Sequence, residues 1–222
     1  MLRCALTMVL AGVLGLMAVP SSKADEAVLT FQGLGDKQAI GNYYDGGAGT
    51  NYGISFSSNI FALTSVLQGG AGNFANDPSF TPAMFISGTM GTNATGIMNV
   101  TAGFGTGISF FYTSAFSGTV TIWSGANGTG TALLTINLTG NDPSSICSST
   151  PTSFCNWTPI SRPFTGTAQS ITFSGQANTM GFTDFVVGGT GLAVPEPAPF
   201  ILLGSGILGT IIRKRQFFGR RR

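Results

Sequence analysis

The side chains that could do chemistry here are few. The 222 residues contain no histidine, so Ser-His-Asp and Cys-His nucleophile arrangements are excluded. Carboxylates remain, at Asp36, Asp45, Asp77, Asp142 and Asp184. Two carboxylates can serve a glycosidase as acid and base. These stand singly, in Gly/Pro/Asn-rich loops or at a strand end. Asp77 and Asp142 each precede a proline, the habit of turn-starting residues. The sequence therefore reads as non-enzymatic, with a carboxylate-dependent polysaccharide-active enzyme as a distant alternative. Loop carboxylates and carbonyls also suit calcium, a hard cation that takes oxygen ligands. Asp36 and Asp45, with Asn42 between them in "GDKQAIGNYYDGG", are candidate ligands. There is no Asp-rich repeat, and no other cofactor is expected.

Aromatic faces stack on pyranose rings while Asn and Asp read hydroxyls. The candidates for such glycan contact are Tyr43, Tyr44, Trp123 and Trp157, with Tyr52 beside them. A structural reading places Trp123 on a sheet face and the tyrosines at sheet edges. Cys147 and Cys155 are the only cysteines beyond the N-terminal region. An oxidising compartment favours their pairing, closing the short loop "CSSTPTSFC" for roughly 2.5 kcal/mol in the chain-entropy model. Two thiols without histidine make a poor metal set. Five Asn-x-Ser/Thr triplets, at Asn93, Asn99, Asn127, Asn137 and Asn156, are expected by chance in a chain so rich in Asn and Thr.

The elements that must position these groups are strands. Charged residues make up only 8% of the chain, against about 25% in ordinary globular proteins. Phe, Ile, Val and Leu are plentiful enough for a core. Short β-type runs alternate with Gly-rich turns: "AVLTFQGL", "NYGISFSS", "IFALTSVL", "AMFISG", "GIMNVTA", "GISFFYTS", "GTVTIWSG", "TALLTINLTG", "QSITFSG" and "MGFTDFVVGG". The seventh and eighth form the clearest hairpin, joined by "GANGTG" with its Asn-Gly turn chemistry. In "TVTIWS", Val120 and Ile122 share one face while Thr119, Thr121 and Trp123 share the other. The pattern predicts an all-β fold, an antiparallel β-sandwich of jelly-roll type, over 25–193.

Charge is distributed unevenly. The net charge is +2, yet between Asp25 and Val194 only Lys37 and Arg162 are cationic, against seven carboxylates. A mildly acidic body argues against nucleic-acid binding, which needs a basic face. The cations sit at the ends. Residues 1–24 read as a signal peptide, with Arg3, an apolar run and a small-x-small site that places cleavage by signal peptidase between Ala24 and Asp25. At the other end the apolar run predicts a single transmembrane helix at about 198–212. Its strictly apolar part, Phe200 to Ile212, is about 20 Å long, a marginal span for a bilayer core of about 30 Å. The basic stretch 213–222, opening with Arg213, Lys214 and Arg215, would stay cytoplasmic and leave the body outside.

The tail, 194–222, resembles the PEP-CTERM sorting signal: "VPEP" at Val194, Pro195, Glu196 and Pro197, then an apolar segment, then "RKR". Pro195 and Pro197 hold the motif extended, and Glu196 is its one charge. This resemblance implies recognition by an exosortase, passage through the inner membrane and transfer to the cell surface or extracellular matrix. The expected role is that of a structural or adhesive component of exopolysaccharide or biofilm, with extracellular polysaccharide as partner. More loosely, the second half of the body is similar to jelly-roll domains of surface proteins and carbohydrate-binding modules. The residues involved are "GISFFYTSAFSGTVTIWSG" and a closing "GF-x-D-F" at Gly181, Phe182, Asp184 and Phe185. That similarity implies the alternative function, a carbohydrate-binding module. It also adds Asp184 to the calcium candidates, since the position resembles one near such sites.

Overall fold

The computed structural model describes residues 26–142 and 153–192. Eleven strands lie among them, most of them marked by alternation of apolar and polar residues. These are β1 (Ala27–Leu29), β2 (Ile54–Phe56), β3 (Ile60–Leu63), β4 (Ala83–Ile86), β5 (Asn93–Phe104), β6 (Gly107–Ser114), β7 (Gly118–Trp123), β8 (Ala132–Leu138), β9 (Thr158–Pro163), β10 (Ala168–Gln176) and β11 (Met180–Val187). They form two sheets. One runs β3-β4-β11-β6-β9, with β1 also pairing β11; the other runs β2-β5-β10-β7-β8. Every pairing between these strands is antiparallel.

The expected β7–β8 hairpin forms, with Val120 opposite Ile136. Its turn carries Asn127 at φ 57° and Gly128 at φ 70°, the left-handed pair that a tight hairpin connection needs. β9, "TPISRP", carries two prolines and offers no alternation that marks it as a strand. Among the described residues it pairs only β6, and an edge is where a strand tolerates residues without an N–H donor.

The core lies between the sheets. Val120, Ile122, Ile171, Phe173 and Met98 from one sheet meet Ile108, Phe110, Phe182, Met84 and Ile60 from the other, all of them fully buried. Phe173 and Phe182 bridge the layers at a ring separation of 5.2 Å, and Phe110 stacks on Phe185 at 4.6 Å. Such offset and edge contacts add to simple area burial.

The fold is thus all-β and two-sheeted, and the flanking helix expected from sequence is corrected. No helix among the described residues is long and apolar enough to cross a membrane. The helix placed at 198–212 lies outside the described residues, as do the signal peptide with Ala24 and Asp25, the motif Val194–Pro197, and Arg213, Lys214 and Arg215. A membrane tether, an inner-membrane topology with the body displayed at the surface, and processing by exosortase and signal peptidase are left without structural support. The associated matrix or biofilm role is withdrawn with them. Cys155, buried beside Ala75, is disulfide-bonded; Cys147, the partner expected from sequence, lies outside the described residues.

Candidate functional site

One outward row of side chains crosses the first sheet. Register places Phe61 opposite Phe85, Phe85 opposite Gly181, and Gly181 opposite Thr113. Phe182 points inward, so its neighbour Gly181 faces out. Trp157, just before β9, lies at the end of this row. A Cβ on Gly181 would stand 3.4 Å from the Trp157 ring and 3.3 Å from the Thr113 methyl. Glycine therefore leaves a gap between Phe85 and Trp157. The result is a cleft of about 200 Å³ with Phe74, Phe85, Phe154 and Trp157 on its walls. Asn73, Asn178, Thr113, Thr179 and Lys37 supply its polar groups. The Thr113 hydroxyl is buried without a hydrogen-bond partner.

Trp157 is held in place on two sides. Its indole N–H donates to the Ala75 carbonyl at 2.9 Å, and its ring meets Phe74 edge-on at 5.7 Å. Both partners belong to the 70–82 segment, which therefore forms one wall of the cleft.

The same segment buries a pair of carboxylates. Asp77 is 3% exposed and Asp184 1%. Asp77 accepts from its own backbone N–H and from those of Thr81 and Phe80; burial nonetheless raises its pKa above the usual carboxylate range. Asp184 accepts from the Ser79 side chain. Burial first, and then the charge of Asp77, raises its pKa to about 6. Each carboxylate keeps one buried oxygen without a partner, Asp77 Oδ2 and Asp184 Oδ2, and the hydroxyl of Thr183, next to Asp184 in sequence, is also buried and unpartnered.

Backbone geometry sets Asp184 there. Thr183 pairs Phe111 while Val186 pairs Ser109, so three steps along β11 match two along β6. This is a β-bulge, and Asp184 occupies it at φ 52°, a left-handed conformation usual for glycine and tolerated by Asp. Asn76 at φ 57° and Phe80 at φ 55° turn the chain on either side of Asp77.

The other carboxylates expected from sequence to bind calcium stand apart. Asp36 is a loop clamp, its oxygens taken by the N–H groups of Thr64 at 2.9 Å and Ala71 at 3.1 Å. Asp45 is exposed in a turn. The expected calcium set of Asp36, Asp45 and Asp184 is therefore not brought together; Asp184 finds Asp77 instead. Asp77, read from sequence as a turn residue, does start a turn, but a buried one. The left-handed residue at 184 and the covering of the outer sheet face are tertiary facts with no sequence signal.

The aromatic candidates divide three ways: Tyr43, Tyr44 and Tyr52 come together along a second cleft of about 390 Å³, Trp123 stands on the second sheet, and Trp157 lines the first cleft. Tyr44 is a core residue, 5% exposed, whose hydroxyl accepts from the Phe31 N–H at 2.8 Å. Burial drives its pKa far above the ordinary tyrosine value. Tyr43 is pinned by donation to the Gln32 carbonyl at 2.9 Å and lies edge-on to Tyr44. Trp123 sits on the outer face of the second sheet and donates to Thr172 Oγ1 at 2.9 Å. Trp157 alone lines the aromatic cleft on the opposite sheet. Among the described residues no group of three or more His, Cys, Asp or Glu is placed to hold a metal. No protein-family model, curated protein or solved structure matches the chain, so neither resemblance drawn from the sequence, to a sorting signal or to sugar-binding jelly rolls, is supported by a relative.

Proposed function

We propose that the domain is a non-catalytic binding module whose ligand site is the Phe85–Gly181–Trp157 cleft, and that its ligand is a single ring-shaped polyol such as a pyranose. The observation that carries this reading is the gap at Gly181. An aromatic wall borders an opening beside a residue that has no side chain, and Asn73, Asn178 and Thr179 are among the residues that line it. A volume of about 200 Å³ equals roughly seven waters at about 30 Å³ each, enough for one ring rather than a chain. Small-molecule sites commonly combine an apolar lining with a few fixed polar groups. The non-catalytic part of the proposal is supported by a sequence without histidine and by the burial of Asp77 and Asp184, whose carboxylates are closed off from a substrate.

The test is a fluorescence titration against a panel of monosaccharides. At least one should perturb the Trp157 emission saturably and be recovered chemically unchanged. Gly181→Val should abolish the response, while Trp123→Phe should leave it intact. Absence of any response in the folded protein, or equal binding by Gly181→Val, defeats the reading.

A further inference from the structure

Two carboxylates with unpartnered oxygens, almost wholly removed from water, are a costly arrangement for a protein to keep. An ionised carboxylate taken into a low-dielectric site requires a compensating partner. Among the described residues no basic side chain supplies it. Between Asp25 and Val194 the chain has only Lys37 and Arg162; Lys37 is exposed at the cleft and Arg162 donates to the Ser161 carbonyl. Neither contacts Asp77 Oδ2 or Asp184 Oδ2. The local backbone also departs from its preferred states to build this arrangement, with Asn76, Phe80 and Asp184 all at positive φ. Strain concentrated around paired, unsatisfied acids points to a ligand.

We propose that Asp77 and Asp184 bind one calcium ion in the β11 bulge, and that the ion fastens the 70–82 segment to the first sheet. The two carboxylates supply the charge. Thr183 Oγ1, backbone carbonyls of the Asn76–Thr81 turn and water are the neutral oxygens available to complete the shell. Calcium accepts such irregular sets of six to eight oxygens. Magnesium prefers to retain several waters in strict octahedral order, which a site this buried does not favour. Zinc favours nitrogen and sulfur ligands, and the chain has no histidine. The segment so fastened carries the Ala75 carbonyl that holds Trp157, so the ion would also steady one wall of the cleft. The proposal does not depend on what the cleft binds.

The experiment uses the full chain, stripped of metal, with calcium chloride as the only addition. Calorimetry should report binding near one ion per chain. Saturating calcium should raise the Tm by about 5 °C or more, as linkage predicts for a ligand of the folded state. Asp77→Asn and Asp184→Asn should each weaken binding at least tenfold and remove the Tm rise. Metal-free Asp184→Asn should also melt above the metal-free parent at neutral pH, because it discards an uncompensated buried charge. That increase shows that the variant folds, so loss of the calcium response cannot be ascribed to misfolding. The proposal is overturned if the folded parent gives neither heat nor a Tm change up to about 10 mM calcium, beyond the weakest affinities usual for such sites. It is equally overturned if both variants respond as the parent does, or if the pair is stabilised only by acid, as a shared proton would require.

Discussion

The indole N–H of Trp157 donates to the carbonyl of Ala75 across 2.9 Å, joining residues 82 apart in sequence. Through this bond the start of β9 orients against the segment that covers the first sheet. Trp157→Phe keeps most of the ring surface and removes the donor. The Ala75 carbonyl, in a residue 4% exposed, then loses its partner at a cost of about 1 kcal/mol. Urea unfolding of the parent and variant measures the difference, and amide exchange should quicken first around Phe74 and Ala75.

Gly181→Ala separates cleft shape from stability. The added methyl would meet Thr113 and the Trp157 ring at 3.3 and 3.4 Å, contacts that relax by small shifts. Alanine also loses less backbone freedom than glycine on folding. The stability change should stay within about 1 kcal/mol, while ligand affinity falls. A denaturation midpoint read alongside a binding titration distinguishes the two effects.

Tyr44→Phe tests the assignment of this ring to the core. Its hydroxyl is the acceptor for the Phe31 N–H, and Phe31 is fully buried at φ 58°. Leaving that N–H unpaired should cost about 1–3 kcal/mol. Ligand binding at the distant Trp157 cleft should be unchanged in a titration of the same variant.

Stability in the absence of metal should depend on pH through Asp184. Its folded pKa is raised to about 6 from 3.8, so the folded state binds the proton more tightly than the unfolded chain does. The contribution to stability is complete below pH about 4 and is lost as pH rises through about 6. The pKa difference corresponds to roughly 2–3 kcal/mol. Asp77, the charged group facing it, is shifted in the same direction. Urea midpoints of metal-free parent and Asp184→Asn at pH 4.5 and 7 should converge at the lower value and separate at the higher.

Phe173→Ala should be the most damaging of these changes. The side chain is fully buried and touches Phe182 at 5.2 Å and Phe185 at 5.4 Å between ring centres. Truncation leaves a cavity between the sheets worth about 3–5 kcal/mol, read as a fall in Tm.

Local chemistry in the sequence was enough to determine the all-β class, most of the strands and the β7–β8 hairpin. Strand alternation and Asn127-Gly128 turn geometry act over a few residues, so neighbouring letters reveal them. β9 escaped because Pro159 and Pro163 break its pattern, and only its place at an edge makes a strand of it. The cleft and the acid pair belong to tertiary structure. Register across β4, β11 and β6 brings Phe85, Gly181 and Thr113 into one row, and a single extra residue in β11 turns Asp184 toward a segment about a hundred residues earlier. Desolvation, which changes what Asp77 and Asp184 can do, depends on what covers them. No spacing along the chain encodes that covering, and so Asp77 read as a simple turn residue until the fold enclosed it.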